Sequence, residues 1–187
     1  VERFKVSMEF GEWDNSFTLE YFEKVIEEYF RVLKNNGSVI IFYDIWKISI
    51  LSDLLTKNKF KQLRLIEWIK TNPVPLNSSR NYLTNSREIA ISAVKKGKPT
   101  FNSSYDNGIY RYPICNDKGR FHPTQKPRKL LIELIEKHSN KNDIILDTFA
   151  GSFSTYHACR ETKRNFIGCE ADKNYYQKAL KQITDLT

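Results

Sequence analysis

An α/β fold with a mainly parallel sheet is what these 187 residues predict, on three observations. Short apolar runs rich in β-branched residues alternate with segments of helical period. The alternation is tightest in the last third of the chain. Hydrophobic residues make up 40% of the whole, enough for one domain, residues 1–187, with a substantial core.

The first clear element is a helix from about Leu19 to Lys34. Phe22, Val25, Ile26, Tyr29, Phe30 and Leu33 recur at three- and four-residue spacing and make one apolar face. Asn35-Asn36-Gly37 stops it, because Asn and Gly tolerate a left-handed helix end. Ser38 to Asp44 is a continuous β-rich run, the mark of a strand buried on both faces. Ile45 to Asn58 reads as a second helix; Gln62 to Ile69 and Glu88 to Val94 read as strands. Thr71 to Arg87 between them is a polar loop, and Lys95 to Phe121 is the least regular stretch. Helical period returns over Pro127 to His138 through Leu130, Leu131, Leu134 and Ile135, with Pro127 suited to a first turn. Then come a strand at Asp143 to Asp147, a helix at Ser154 to Thr162, a strand at Asn165 to Glu170 and a helix at Asn174 to Ile183.

The totals narrow the function classes. A net charge of +8 suggests a polyanionic partner, nucleic acid being the commonest. Three unpaired cysteines, Cys115, Cys159 and Cys169, argue against a disulfide framework and for a reducing cytoplasm. The absence of any CxxC or Cys/His cluster argues against zinc, and no metal is expected. Val39 to Tyr43, the longest apolar run, is far too short to span a bilayer. The opening residues Val-Glu-Arg-Phe-Lys hold no signal-peptide core.

The segment Asp143-Ile-Ile-Leu-Asp147-Thr-Phe-Ala-Gly151-Ser-Phe-Ser-Thr155 is an apolar strand that ends in an acid, turns through small residues and opens a helix. Open α/β sheets bind ligands beyond the carboxyl ends of their strands, and helix N-termini favour electron-rich groups. The next strand leads to Glu170, an acid placed to accept hydrogen bonds from both ribose hydroxyls of an adenosine cofactor. On these residues alone Asp147 could equally be a helix cap, Glu170 a solvated strand end, and the protein a dinucleotide enzyme.

His122-Pro-Thr-Gln-Lys126-Pro127 leads through one amphipathic helix into that strand. This order resembles the permuted, β-class S-adenosylmethionine-dependent DNA amino-methyltransferases of the N6-adenine/N4-cytosine family. There a His-Pro-Thr-Gln-Lys-Pro segment stands before an Asp-Pro-Phe-x-Gly-Ser-Gly-Thr-Thr loop. An Arg-x-Phe-Ile-Gly-x-Glu strand follows, matched by Arg164 to Glu170, and then a Tyr-containing helix, matched by Tyr175 and Tyr176. Upstream, Phe10-Gly-Glu-Trp13-Asp14, Leu33 to Asp44, Glu67-Trp68-x-Lys70, Asn72-Pro73 and Glu88 match in the same order.

The resemblance implies a Rossmann-like methyltransferase fold with flanking helices. It implies methyl transfer from S-adenosylmethionine to the N6 amino group of a flipped-out adenine in double-stranded DNA, within a restriction–modification system of a prokaryotic cytoplasm. Asp147, Phe149, Ala150 and Gly151 would hold the methionine end of the cofactor, with Ser152, Ser154 and Thr155 continuing the loop. Glu170 would take the ribose, and His122, Thr124 and Lys126 the carboxylate side. A cognate restriction endonuclease is the implied functional partner. The oligomeric state stays open, a homodimer being one option. Cytosine N4 methylation and a non-catalytic DNA-binding remnant are the competing readings, and a nicotinamide dehydrogenase lacks its glycine-rich fingerprint.

Three departures matter. The family's catalytic motif, Asp/Asn-Pro-Pro followed by an aromatic residue, appears nowhere in the sequence. By the resemblance it belongs just upstream of Phe10, on a strand between those at Asp143 and Ser38. The expectation is therefore a domain missing its N-terminal part, with no catalytic residue among those present and little methyl transfer alone. Phe153 stands where the family has glycine, and Thr148 where it has proline. A phenyl ring there must fold away or intrude on the cofactor. The sequence expectation is weakened binding that Phe153→Gly restores.

Flipping a base costs a few kcal/mol, which basic and polar loops offset. Lys70, Asn72, Arg80, Asn81 and Arg87 in the first loop are the candidates, with Arg111, Lys118 and Arg120 in or beside the second. Lys95, Lys96 and Lys98 adjoin them. Residues 99–121 are the expected target-recognition region, by position.

Overall fold

The computed structural model describes residues 18–73, 83–115, 120–122 and 124–184. The chain divides into two compact units, Val1–Pro113 and Ile114–Thr187.

In the first unit, helix α1 spans Leu19–Val32. Thr18 caps it, its hydroxyl accepting the Tyr21 N–H at 3.2 Å. At the far end Lys95 places its ammonium on the carbonyls of Arg31 and Leu33, at 3.2 and 2.7 Å, where helix carbonyls lack partners. Lys95 is thus occupied in holding a helix end. Asn36, at φ 67°, turns the chain into strand β1, Ser38–Tyr43. A 3-10 turn, Ile45–Lys47, leads to helix α2, Ile48–Lys57. Strands β2 (Lys61–Lys70), β3 (Arg87–Val94) and β4 (Ile109–Tyr112) complete a sheet of order β1-β3-β2-β4.

Strand β3 is antiparallel to both β1 and β2, and β4 is parallel to β2. The four-stranded sheet is therefore mixed, where a mainly parallel sheet was expected. The sequence between β2 and β3 reads as a polar loop without helical period, and that kind of connection favours antiparallel neighbours. Strand β1 is half-buried along its length rather than buried on both faces, and it stands at the sheet edge among the described residues. Phe22 and Ile26 of α1 meet Leu51, Leu54 and Leu55 of α2, Phe60, and Ile91 and Ala93 of β3 in one core. Each large side chain buried there contributes roughly 1.5–3 kcal/mol.

In the second unit, helix α3 spans Arg128–His138, with Pro127 as its N-cap. Strand β5 (Ile144–Asp147), helix α4 (Ser154–Thr162) and strand β6 (Asn165–Gly168) follow, and β5 and β6 pair in parallel. This is the βαβ arrangement that the alternating sequence predicts. Helix α5, Lys173–Thr184, ends the described chain. Ile135 of α3 packs on Ala158 and Cys159 of α4, with Ile145 and Phe166 beneath. Arg164 ties β6 to the end of α3, its guanidinium donating to the Ser139 hydroxyl at 3.1 Å and the Ser139 carbonyl at 2.6 Å. No described helix is long and apolar enough to cross a membrane.

Candidate active site

The second unit gathers the expected cofactor residues around the turn after β5. Asp147 ends the strand and organises the turn: its carboxylate accepts the Phe149 N–H at 3.1 Å and the Thr155 hydroxyl at 2.6 Å. Burial raises its pKa above the usual carboxylate value, and these two donors only partly offset that. The turn is fastened to β6, since Ala150 N–H donates to the Cys169 carbonyl at 2.9 Å.

Glu170 lies just beyond β6. One carboxylate oxygen accepts the Gly151 N–H at 2.7 Å, and the other accepts the Asp172 N–H at 2.8 Å. The strand-end acid and the glycine turn, 19 residues apart, are therefore in direct contact. Gly151 has φ +50°, and a Cβ built on it would stand 3.2 Å from the His122 ring. Only glycine satisfies both conditions without displacing the imidazole.

His122 sits with its ring 4.4 Å from that of Tyr175, at the start of α5. Its Nδ1 accepts the backbone N–H of Thr124 at 3.3 Å. A backbone N–H can only donate, so the neutral ring carries its proton on Nε2. Burial lowers the His122 pKa from its usual value, outweighing the nearby Glu170 carboxylate, so the ring is neutral at pH 7. Lys126 donates to the Thr124 carbonyl at 3.3 Å and folds back over the same turn.

Three other expected residues turn inward. Ser152 and Ser154 are buried, and their hydroxyls bond each other at 2.9 Å. Ala150 joins the core with Phe153 and Ala179. Phe149, by contrast, leaves its ring 53% exposed at the rim of the turn.

Phe153 adopts the left-handed region, φ 57°, and its ring is 5% exposed. It lies edge-on to Phe166 at 5.8 Å and to Tyr176 at 6.1 Å. Of the two outcomes open from the sequence, the ring folds away from the turn into the core. Ala179, small and buried, leaves room for the ring beneath the loop.

The sequence reading missed Asp172, which caps α5 through the N–H groups of Asn174 and Tyr175 at 2.8 and 3.0 Å. An Asp at the start of a helical segment is a readable cap signal. It also left the Tyr175 ring without a partner, and no local pattern reveals a contact with a histidine so far back along the chain.

The DNA candidates fare differently. Lys70 pairs with Glu88 at 3.0 Å and lies 5.4 Å from the Trp68 ring centroid, with only 14% of its side chain exposed. Arg87 pairs with Glu67 at 3.3 Å. Arg120 donates to the carbonyls of His122 and Cys115, at 3.4 and 3.3 Å. Arg111 is exposed on β4, and Asn72 is half-buried. Arg80, Asn81 and Lys118 lie outside the described residues.

A family model for DNA methylases, covering the N6 and N4 methyltransferases, matches residues 4–181. The chain belongs to the DNA methylase family. Among its relatives in the family is the type II methyltransferase M2.MboI of Moraxella bovis, 34% identical over 95% of this chain and 71% of that protein. The crystal structure of M1.HpyAVI in complex with SAM is 38% identical, covers 89% of this chain and 84% of that one, and superposes with a TM-score of 0.74. The cytosine-N4-specific PvuII DNA methyltransferase shares the fold, with a TM-score of 0.77 at 16% identity.

Proposed function

We propose that this DNA methylase transfers the methyl group of S-adenosylmethionine to the N6 amino group of adenine in double-stranded DNA. We read it as the modification activity of a prokaryotic restriction–modification system, acting in the cytoplasm beside a cognate endonuclease. The observation that carries the reading is the 2.7 Å contact between the Gly151 N–H and Glu170, with the His122 ring packed against the same glycine. A strand-end acid, a glycine that leaves space for a ligand and a neutral imidazole meet at the carboxyl end of a parallel strand, where α/β sheets bind nucleotides.

These residues fit the cofactor. When bound, S-adenosylmethionine supplies a methyl group on a positively charged sulfur, which becomes a neutral thioether once the methyl passes to nitrogen. Asp147 is held by Phe149 and Thr155 in a fixed orientation and offers a carboxylate to the ammonium end. His122, with its proton on Nε2, and Lys126 are donors for the carboxylate end. Glu170 keeps lone pairs for the ribose hydroxyls. None of the described residues takes the part of the acceptors that draw on the base's amino protons. The sequence contains no Asp/Asn-Pro-Pro-aromatic motif to supply them.

Motif order supports the permuted, β-class arrangement, because the His122 to Lys126 turn, β5 and β6 follow the β1-to-β4 unit in the chain. Strands β1, β2 and β4 run in one direction with β3 reversed, and β5 and β6 are parallel. Within each unit, then, all strands but β3 run parallel, which supports a mainly parallel reading. Adenine is preferred over cytosine because the N4-specific enzyme is similar at the level of fold alone.

The test has two arms. Calorimetry should show S-adenosylmethionine binding that Glu170→Ala removes. Nucleoside mass spectrometry of DNA from cells expressing the protein together with an upstream segment that carries the Asp/Asn-Pro-Pro-aromatic motif should show N6-methyladenine. Absence of binding, or N4-methylcytosine in place of N6-methyladenine, overturns the assignment.

A further inference from the structure

We infer that Trp46 is a DNA contact that stacks on an unpaired nucleobase. This rests on the DNA-methylation reading and adds a base-contacting residue to it. The chain of observations begins with strand direction. Strands β1 and β2 are both antiparallel to β3, and β4 is parallel to β2, so β1, β2 and β4 all end on one rim of their sheet. That rim is where open α/β sheets carry their ligands. Trp46 follows β1 directly onto it.

A single exposed apolar side chain carries no message by itself. Trp46 differs in three respects. Its exposure is 90%, so almost the whole indole faces solvent. It is presented on a fixed turn: Asp44 accepts the Trp46 N–H on its side chain at 3.0 Å, and its carbonyl accepts the Lys47 N–H at 2.9 Å. Its neighbours suit a polyanion carrying flat apolar bases, because Ile45 is 46% exposed beside it and Lys47 is exposed on the other side. Arg87 opens β3 on the same rim, and the whole chain carries +8. Aromatic faces next to cations are what single-stranded and flipped nucleotides bind, since every base has a π-face.

The test uses the whole chain with Trp46→Ala and Trp46→Phe. Fluorescence anisotropy follows binding to a fully paired duplex, to the same duplex with a central mispaired adenine, and to heparin, a polyanion without bases. Wild type should prefer the mispaired duplex. Trp46→Ala should lose affinity for it by roughly tenfold to a hundredfold, and Trp46→Phe should retain most of it. All three proteins should bind heparin equally and melt at the same temperature. A 2-aminopurine at the mispaired position should be quenched by wild type and Trp46→Phe but not by Trp46→Ala.

Equal DNA binding by all three forms overturns the inference and leaves the methylase reading standing. An equal loss on heparin overturns it in favour of a charge or folding effect. Loss of self-association in sedimentation, with DNA affinity unchanged, overturns it in favour of a contact between copies. If wild type binds neither duplex, the methylase reading falls with it.

Discussion

Replacing Phe153 by glycine restores the residue found in the family's loop, and from sequence alone it should help the cofactor. The structure reverses that sign. The ring is 5% exposed and fills a core built by Ala150, Ala179, Phe121, Tyr156, Phe166 and Ile183. Emptying such a site costs about 3–5 kcal/mol. Against this, Phe153 holds φ 57°, a conformation that costs a non-glycine residue about 1–2 kcal/mol and glycine almost nothing. The balance is a loss of about 1–4 kcal/mol for Phe153→Gly. Phe153→Ala loses the ring and keeps the strain, so it should be the less stable of the two by about 1 kcal/mol. Urea unfolding of the three proteins reads these differences directly. Calorimetry below the unfolding transition should give S-adenosylmethionine affinities that agree within about twofold, because the ring does not enter the turn. A Phe153→Gly protein that is as stable as wild type and binds the cofactor tighter would refute the packing argument. Equal stability of the glycine and alanine forms would refute the strain term.

Further outcomes follow from the same geometry. The pKa of Asp147 is raised by burial, and a cofactor ammonium needs the ionised form, so affinity should fall as pH drops through that raised value. Asp147→Asn should flatten the dependence in calorimetry across the acid range. Linkage gives the opposite sign for stability: with its folded pKa above the ordinary 3.8, Asp147 contributes fully below 3.8, and that contribution is lost as pH rises through the folded pKa, which unfolding curves at several pH values would show. Gly151→Ala combines φ +50° with a Cβ only 3.2 Å from His122, so it should cost roughly 1–3 kcal/mol in urea unfolding and weaken cofactor binding together. Arg111→Ala should weaken duplex binding and reduce its salt dependence by about one counterion without lowering the melting temperature. Lys70→Ala removes the largely buried ammonium that pairs with Glu88 and should instead show itself as lost stability, of roughly 1–2 kcal/mol.

Helix and strand positions were legible where periodicity ran long. The Phe22-to-Leu33 stripe and the Leu130-to-Ile135 stripe fall on α1 and α3, and the Asp143–Thr155 segment folds as strand, turn and helix. Strand β4 was missed because it has only four residues between Gly108 and Pro113. Its inward Tyr110 and outward Arg111 are too few to establish a period of two. The reversal of β3 was readable in principle from the lack of helical period in the sequence between it and β2. In the site, the pairing of a strand-end acid with the glycine turn was visible as a spacing. The fate of Phe153 was not, since it depends on room beneath the loop left by Ala179, a residue on another helix. The DNA candidates were chosen by charge, and charge cannot foresee that Lys70 and Lys95 would be engaged by Glu88 and by the end of α1.

The contact between Glu170 and Gly151 raises the question of whether the acid is spent on holding the turn or remains able to take a ribose. A carboxylate has about four acceptor positions on its two oxygens, and each oxygen of Glu170 receives one backbone N–H, from Gly151 and from Asp172. One position on each oxygen therefore remains, which is the number that a vicinal pair of hydroxyls requires. The two N–H donors also do work that solvent could not: they fix both carboxylate torsions and orient the remaining lone pairs before any ligand arrives. A glutamine in this place offers one oxygen and turns an N–H₂ toward one of those backbone donors, so it would disturb the turn and the ribose site at once. The same carboxylate lies near His122 and favours its protonation, yet burial keeps the imidazole neutral. Glu170 thus remains an acceptor for hydroxyls rather than the partner of an imidazolium, and the site presents an acid and a neutral donor side by side without their neutralising one another.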